Sequence, residues 1–219
     1  MSKLNLFELN KYYSFQNTPI FSAKELVVIF GSNRRAVNGF LSYNVKKGSI
    51  IRLKAGLFTL ANIPVSDFVV ANKLCFPSYI SLDTALSYHG VIPETVYSIT
   101  SVTSKTTKEF EALNKRFVYF KIKKEAFSGY EIVKTENGVS YLASPEKAVA
   151  DLLYLNYLGK REYNDRIDWS KVSLGKIIGF LKLFSKKGLI KYAESKHEKY
   201  IKGGLIWLVK FFWKSMPLN

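Results

Sequence analysis

The chain is poor in the residues that usually make a chemistry legible. Only one cysteine, two histidines and six prolines occur in 219 residues. A single thiol, Cys75, cannot close an intramolecular disulfide, and its apolar neighbours Leu74 and Phe76 mark it as a buried structural thiol in a reducing compartment. His89 and His197 stand far apart, so the ligand spacing of a structural zinc site is missing and no metal is expected. His89, between Tyr88 and Gly90, reads as a capping or packing residue. Neither G-x-x-x-x-G-K-[ST] nor G-x-G-x-x-G occurs, so no nucleotide cofactor is expected, and Gly203-Gly204 reads as a joint. Long hydrophobic runs are missing too. The most apolar stretch, Leu205–Trp213, is nine residues broken by Lys210, far short of the roughly 20 needed to span a bilayer. Without a basic n-region leading into an apolar run, export is not expected, and the reading is a cytoplasmic protein.

Acidic residues are the other scarcity. The chain carries 33 Lys and Arg against 17 Asp and Glu, a formal charge of +16. A nuclease needs clustered carboxylates to hold a divalent cation. The one Glu-x-Lys, Glu194-Ser195-Lys196, lies in a solvated charged stretch, and Glu146 and Asp151 are five apart on different faces of one helix. The imbalance is also uneven. Residues 1–64 hold nine bases and two acids, residues 65–160 hold eleven and ten, and residues 161–219 hold thirteen and five. Two basic ends flank a nearly neutral middle, and such an excess points to an anionic partner.

What is present is clearest between Thr18 and Leu60. Residues 4–15 read as a first helix. Ser22 with Glu25 three residues on is a capping box opening a second. Gly31 supplies a turn, and Ser32 is the expected N-cap of a third helix that ends at Gly48. In that helix Val37, Phe40 and Leu41 recur at i, i+3, i+4 and should pack inward, leaving Arg34, Arg35 and Asn38 outward. Ile51, Leu53 and Leu57 alternate with Arg52, Lys54 and Thr59 around Ala55-Gly56, the pattern of a two-stranded hairpin. Helix, turn, polar-basic helix and ribbon together form the plan of a winged helix-turn-helix, whose second helix enters a DNA major groove. Arginine at a helix N-terminus opposes the macrodipole, so two of them there suggest a site kept for an anion or a guanine edge. Asn33, Arg34, Arg35 and Asn38 are the base-contact candidates. Ser32, Lys46, Lys47, Arg52 and Lys54 are the phosphate-contact candidates.

Asn62-Ile63-Pro64 closes this module, giving a boundary between residues 1–64 and 65–219. After a connecting segment, Leu82, Ala85 and Leu86 fall at helical spacing. Residues 96–104, 116–124 and 130–143 read as strands, the last folded at Asn137-Gly138. Ser144, Pro145 and Glu146 open a helix whose Val149, Leu152, Leu153 and Leu155 should seat against those strands. Two further basic helices are expected after residue 170. The fold class is therefore α/β (α+β): an N-terminal winged helix-turn-helix and a mixed α/β domain with a helical end.

Three blocks, IIRLKAGLFTL, FPSYISLDTALSYHGVIPE and LASPEKAVADLLYL, resemble in their order the AbiEi family, the transcriptional-regulator antitoxins of type IV toxin–antitoxin, or phage abortive-infection, systems. The resemblance runs from about residue 18 to about 160. It implies a non-enzymatic autorepressor that binds inverted repeats in double-stranded DNA of its own promoter. It also implies that the protein counteracts a nucleotidyltransferase toxin without a stable complex, and that it is a monomer in solution binding cooperatively on DNA. Within the family-specific blocks Tyr79, Ser81, His89, Pro145, Glu146 and Lys147 are either an interaction surface or a brace; a brace is the expectation. Two rivals stay open from the residues alone: a plain winged-helix repressor, and a DNA-tethered nuclease. The C-terminal Trp207, Phe211, Phe212 and Trp213 among lysines could lie on anionic lipid or fold back on the second domain.

Overall fold

The computed structural model describes residues 4–16, 18–135 and 138–214, with side chains through residue 202. Asn17, Asn137 and residues 215–219 lie outside it, as do the side chains of Trp207, Phe211, Phe212 and Trp213. The described residues form eight α-helices and nine strands in two sheets, a mixed α/β protein. No described helix is long and apolar enough to cross a membrane.

The N-terminal unit runs α1 (Leu6–Ser14), β1 (Ile20–Ser22), α2 (Ala23–Phe30), α3 (Arg34–Lys46), β2 (Ile50–Lys54) and β3 (Leu57–Leu60). Its sheet is three-stranded and antiparallel in the order β1-β3-β2. A two-stranded ribbon was expected; the short β1 adds the third strand and makes β3 central. Thr59, expected to face outward, is consequently buried, and its hydroxyl donates to the Pro19 carbonyl at 2.9 Å. Leu9, Phe21, Leu26, Val37, Leu41 and Phe58 are among the core residues of this unit.

The second unit contains α4 (Asp67–Leu74), β4 (Ser78–Ile80), α5 (Leu82–Tyr88), β5 (Ile99–Thr103), β6 (Lys108–Ala112), β7 (Lys115–Lys121), β8 (Tyr130–Thr135), β9 (Gly138–Ala143), α6 (Pro145–Tyr157), α7 (Leu174–Leu183) and α8 (Leu189–Lys214). Its six strands lie in the order β6-β7-β5-β4-β9-β8, with β4–β9 and β5–β7 parallel and the rest antiparallel. Strand alternation assigns the two faces. Ser78 reaches Asn72 of α4 at its backbone carbonyl and, on β7, Tyr119 donates to the Ala71 carbonyl, so α4 covers one face. Tyr79 and Ser81 point the other way, to α6. That helix packs between α5, α7 and α8.

The hairpin β8–β9 forms as expected, pairing Thr135 with Gly138. Four elements were not anticipated: β1, α4, β4 and β6. Gly203-Gly204, read as a joint, lies inside α8, which runs to Lys214. The line at residue 64 falls between β3 and α4, but the two cores meet: Ile20 of β1 and Leu53 of β2 belong to the core of the second unit.

Candidate nucleic-acid interface

Local chemistry fixes the α2–α3 corner. Ser22 and Glu25 make the reciprocal capping box, each side chain satisfying the other's backbone N–H. Gly31 ends α2 in the left-handed region (φ 60°), where a Cβ would be strained. The cap of α3 is one residue later than expected. Asn33, not Ser32, is the N-cap, and its Oδ1 accepts the Ala36 N–H at 2.8 Å. That bond commits the oxygen a bidentate adenine contact requires. Asn33 therefore shapes the helix start.

Helix α3 buries Val37, Leu41 and Asn44, with the Asn44 amide donating to the Phe40 carbonyl at 2.8 Å. The opposite face is open: Arg34, Arg35, Asn38, Gly39, Ser42, Tyr43, Lys46 and Lys47 are exposed. Lys47 sits over the Tyr43 ring, 4.6 Å from its centroid. Ser32 is half-buried in the preceding turn. No acid stands in the first turn of α3 to offset Arg34 and Arg35. Among the described residues, all seven ion pairs lie between positions 67 and 176, and none involves α3 or the hairpin.

On the hairpin the two cations part company. Arg52 is exposed on β2. Lys54 turns inward, because the register slips between them: Arg52 faces Phe58 while Lys54 faces Leu57. Its Nζ donates to the Leu74 carbonyl at the end of α4 (2.6 Å) and lies 5.6 Å from the Phe110 ring centroid. Burial, with lesser effects from its neighbours, holds the ammonium below its ordinary pKa. Lys54, expected to meet phosphate, is held as a strut across the seam between the units. The hairpin tip is only Ala55-Gly56, with Gly56 at φ 76°.

Three residues of the second and third sequence blocks, Tyr79, Ser81 and Lys147, meet Asp151 in a buried knot. Tyr79, Ser81, Lys147 and Asp151 are fully enclosed. Lys147 Nζ donates to Asp151 Oδ1 at 2.7 Å; Asp151 Oδ2 accepts from the Tyr79 hydroxyl at 2.9 Å and from Ser81 Oγ at 2.8 Å. Burial pushes the Asp151 carboxyl above its usual range, opposed by the Lys147 charge and the three donors. The Lys147 ammonium also sits 4.7 Å from the Phe184 ring centroid. Outside this knot, His89 Nε2 bonds the Ala143 carbonyl at 2.8 Å. Pro145 occupies the first turn of α6 behind the Ser144 cap, and Glu146 pairs with Lys176 at 3.4 Å. Asp151 went unassigned from sequence. The signal was there: a Lys and an Asp at i, i+4 inside an otherwise apolar helix.

Among the described residues of the second unit, seven cations have an acidic partner. Lys115, Arg116 and Arg161 rim one cleft, and each is paired, with Asp67, Glu109 and Asp83 respectively. Among the described residues no three His, Cys, Asp or Glu side chains converge on one point. Cys75 is a free, buried thiol. A comparison with protein-family models found no match, and neither did a comparison with curated proteins.

Proposed function

We propose that the N-terminal unit is a winged helix-turn-helix that binds double-stranded DNA, and that the protein is a transcriptional regulator. One observation carries this reading. The outward face of α3 presents Arg34, Arg35 and Lys46 beside the exposed Arg52 of β2, and among the described residues none of these cations has an acidic partner. Four uncompensated cations on a helix and its neighbouring strand suit a polyanion, and a helix flanked by a short hairpin suits a groove. In this reading Arg34, Arg35 and Asn38 reach base edges, while Lys46, Lys47 and Arg52 meet phosphates.

The particular regulator we propose is an antitoxin of the AbiEi kind, acting from the cytoplasm on its own promoter and opposing a nucleotidyltransferase toxin. That step rests on the three sequence blocks. The second unit supports it only as a rigid platform, since the block residues are spent on bracing the fold. Two experiments test the pair of statements. Fluorescence anisotropy with duplex DNA from upstream of the reading frame should give salt-sensitive, sequence-dependent binding. Co-expression with the nucleotidyltransferase of an adjacent reading frame should restore growth without the two proteins co-purifying. A promoter duplex bound no better than scrambled DNA defeats the first statement; growth arrest that persists defeats the second.

A further inference from the structure

Gly39 sits in the middle of the outward face of α3, between Arg35 one turn before and Ser42 and Lys46 after it. Nothing in the fold asks for a glycine there. Its φ lies outside the left-handed region, and a Cβ built on it would meet no atom within 4 Å. A glycine inside a helix is unfavourable relative to alanine, since it frees the unfolded backbone and offers no side chain to pack. One turn away on either side stand Arg35 and Ala36, then Ser42 and Tyr43, with Lys46 a further turn on. The bare backbone is thus a notch in a basic surface, aimed at whatever that surface meets.

We propose that Gly39 is the point of closest approach between α3 and the floor of the DNA major groove, and that its missing side chain sets sequence specificity. This rests on the DNA-binding reading above. The major groove is about 12 Å wide, close to the diameter of a helix with its side chains, so a helix enters deeply only where its outer face is small. With hydrogen alone at position 39 the backbone reaches base edges, and Arg35 and Ser42 on either side come within bonding range of them. A methyl group there lifts the helix and loosens both flanking contacts. Phosphate contacts from longer side chains at the margins, Lys46 and Lys47, tolerate that shift because a lysine stem is flexible.

A second glycine provides a matched control. Gly179 of α7 is also helical, exposed and without any atom within 4 Å of a built Cβ, but it lies in the second unit. The full-length protein is first used to enrich duplexes from a random-sequence pool. The recovered duplex and a scrambled version are then titrated against wild type, Gly39→Ala, Gly179→Ala and the Arg34→Ala/Arg35→Ala double variant. Thermal melting is recorded in parallel. Both glycine variants should melt about 2–4 °C higher, the gain expected from helix propensity in a chain of this size. Gly39→Ala should bind the recovered duplex about tenfold or more weakly while holding the scrambled duplex as before. Gly179→Ala should bind both as wild type does. If Gly39→Ala keeps wild-type affinity for the recovered duplex while the double arginine variant loses it, the inference about Gly39 fails and DNA reading by α3 stands. Equal losses in both glycine variants also overturn the inference. A wild type that enriches no duplex overturns the inference and the reading together.

Discussion

Helices α3 and α6 are each 13 residues long and each begins on a side chain that caps its first turn, yet they are used in opposite ways. Every residue of α6 from Lys147 to Leu155 is buried, its one internal cation is paired, and Glu146 in its first turn complements the helix dipole. Helix α3 buries three residues, carries two arginines where the dipole disfavours them, and has an exposed glycine at its centre. What α6 holds is fully accounted for by the fold. What α3 shows on its outer face is not, and that remainder is what the proposed DNA partner would use. The contrast also separates lysines that look alike in sequence. Lys54 and Lys147 are both drawn inward and both do structural work, whereas Lys46 is left in solvent.

The contrast can be broken from either side. The largest effect should come from Lys147→Met, which strands the Asp151 carboxylate in a closed site and should destabilise the protein by about 3–5 kcal/mol in urea unfolding. The double replacement Lys147→Met/Asp151→Leu should recover only part of that loss, because it removes the stranded charge but leaves the enclosed Tyr79 and Ser81 hydroxyls without their acceptor. Next, Arg35→Ala should lower affinity for the preferred duplex by about 1–3 kcal/mol and relax its specificity, with unfolding midpoints unchanged or slightly raised. Lys54→Met leaves the Leu74 carbonyl without its donor and should cost about 1–3 kcal/mol of stability. In titrations over a range of salt it should leave the salt dependence of DNA binding as it was, while Arg52→Ala reduces the slope by about one unit. The smallest effect belongs to Glu146→Gln. Its partner Lys176 is largely exposed, so the change should cost no more than about 1 kcal/mol.

Features written in neighbouring residues were legible before any coordinates. The Ser22–Glu25 capping box, the Gly31 turn, the Ser144-Pro145 helix start and the β8–β9 hairpin each depend on a few adjacent positions. Features decided by distant pairing were not. Strands β1, β4 and β6 span only three to five residues and exist because other strands pair with them. The inward turn of Lys54 depends on a slip in register that alternation alone does not announce. The same holds at the candidate site. The exposed arginines follow from the periodicity of α3. That Asn33 spends its oxygen on the cap, and that a side chain at position 39 would have open space before it, needed the assembled backbone.

The central claim is that α3 is the surface that meets DNA, and amide hydrogen exchange on the full chain tests it most directly. Exchange is followed with and without the enriched duplex, with α6 as an internal standard already protected by burial. The account predicts that DNA slows exchange in residues 34–46 and in the β2–β3 hairpin while α6 is unchanged. Slowing confined to the basic α7–α8 region, with α3 exchanging as in the free protein, would contradict it.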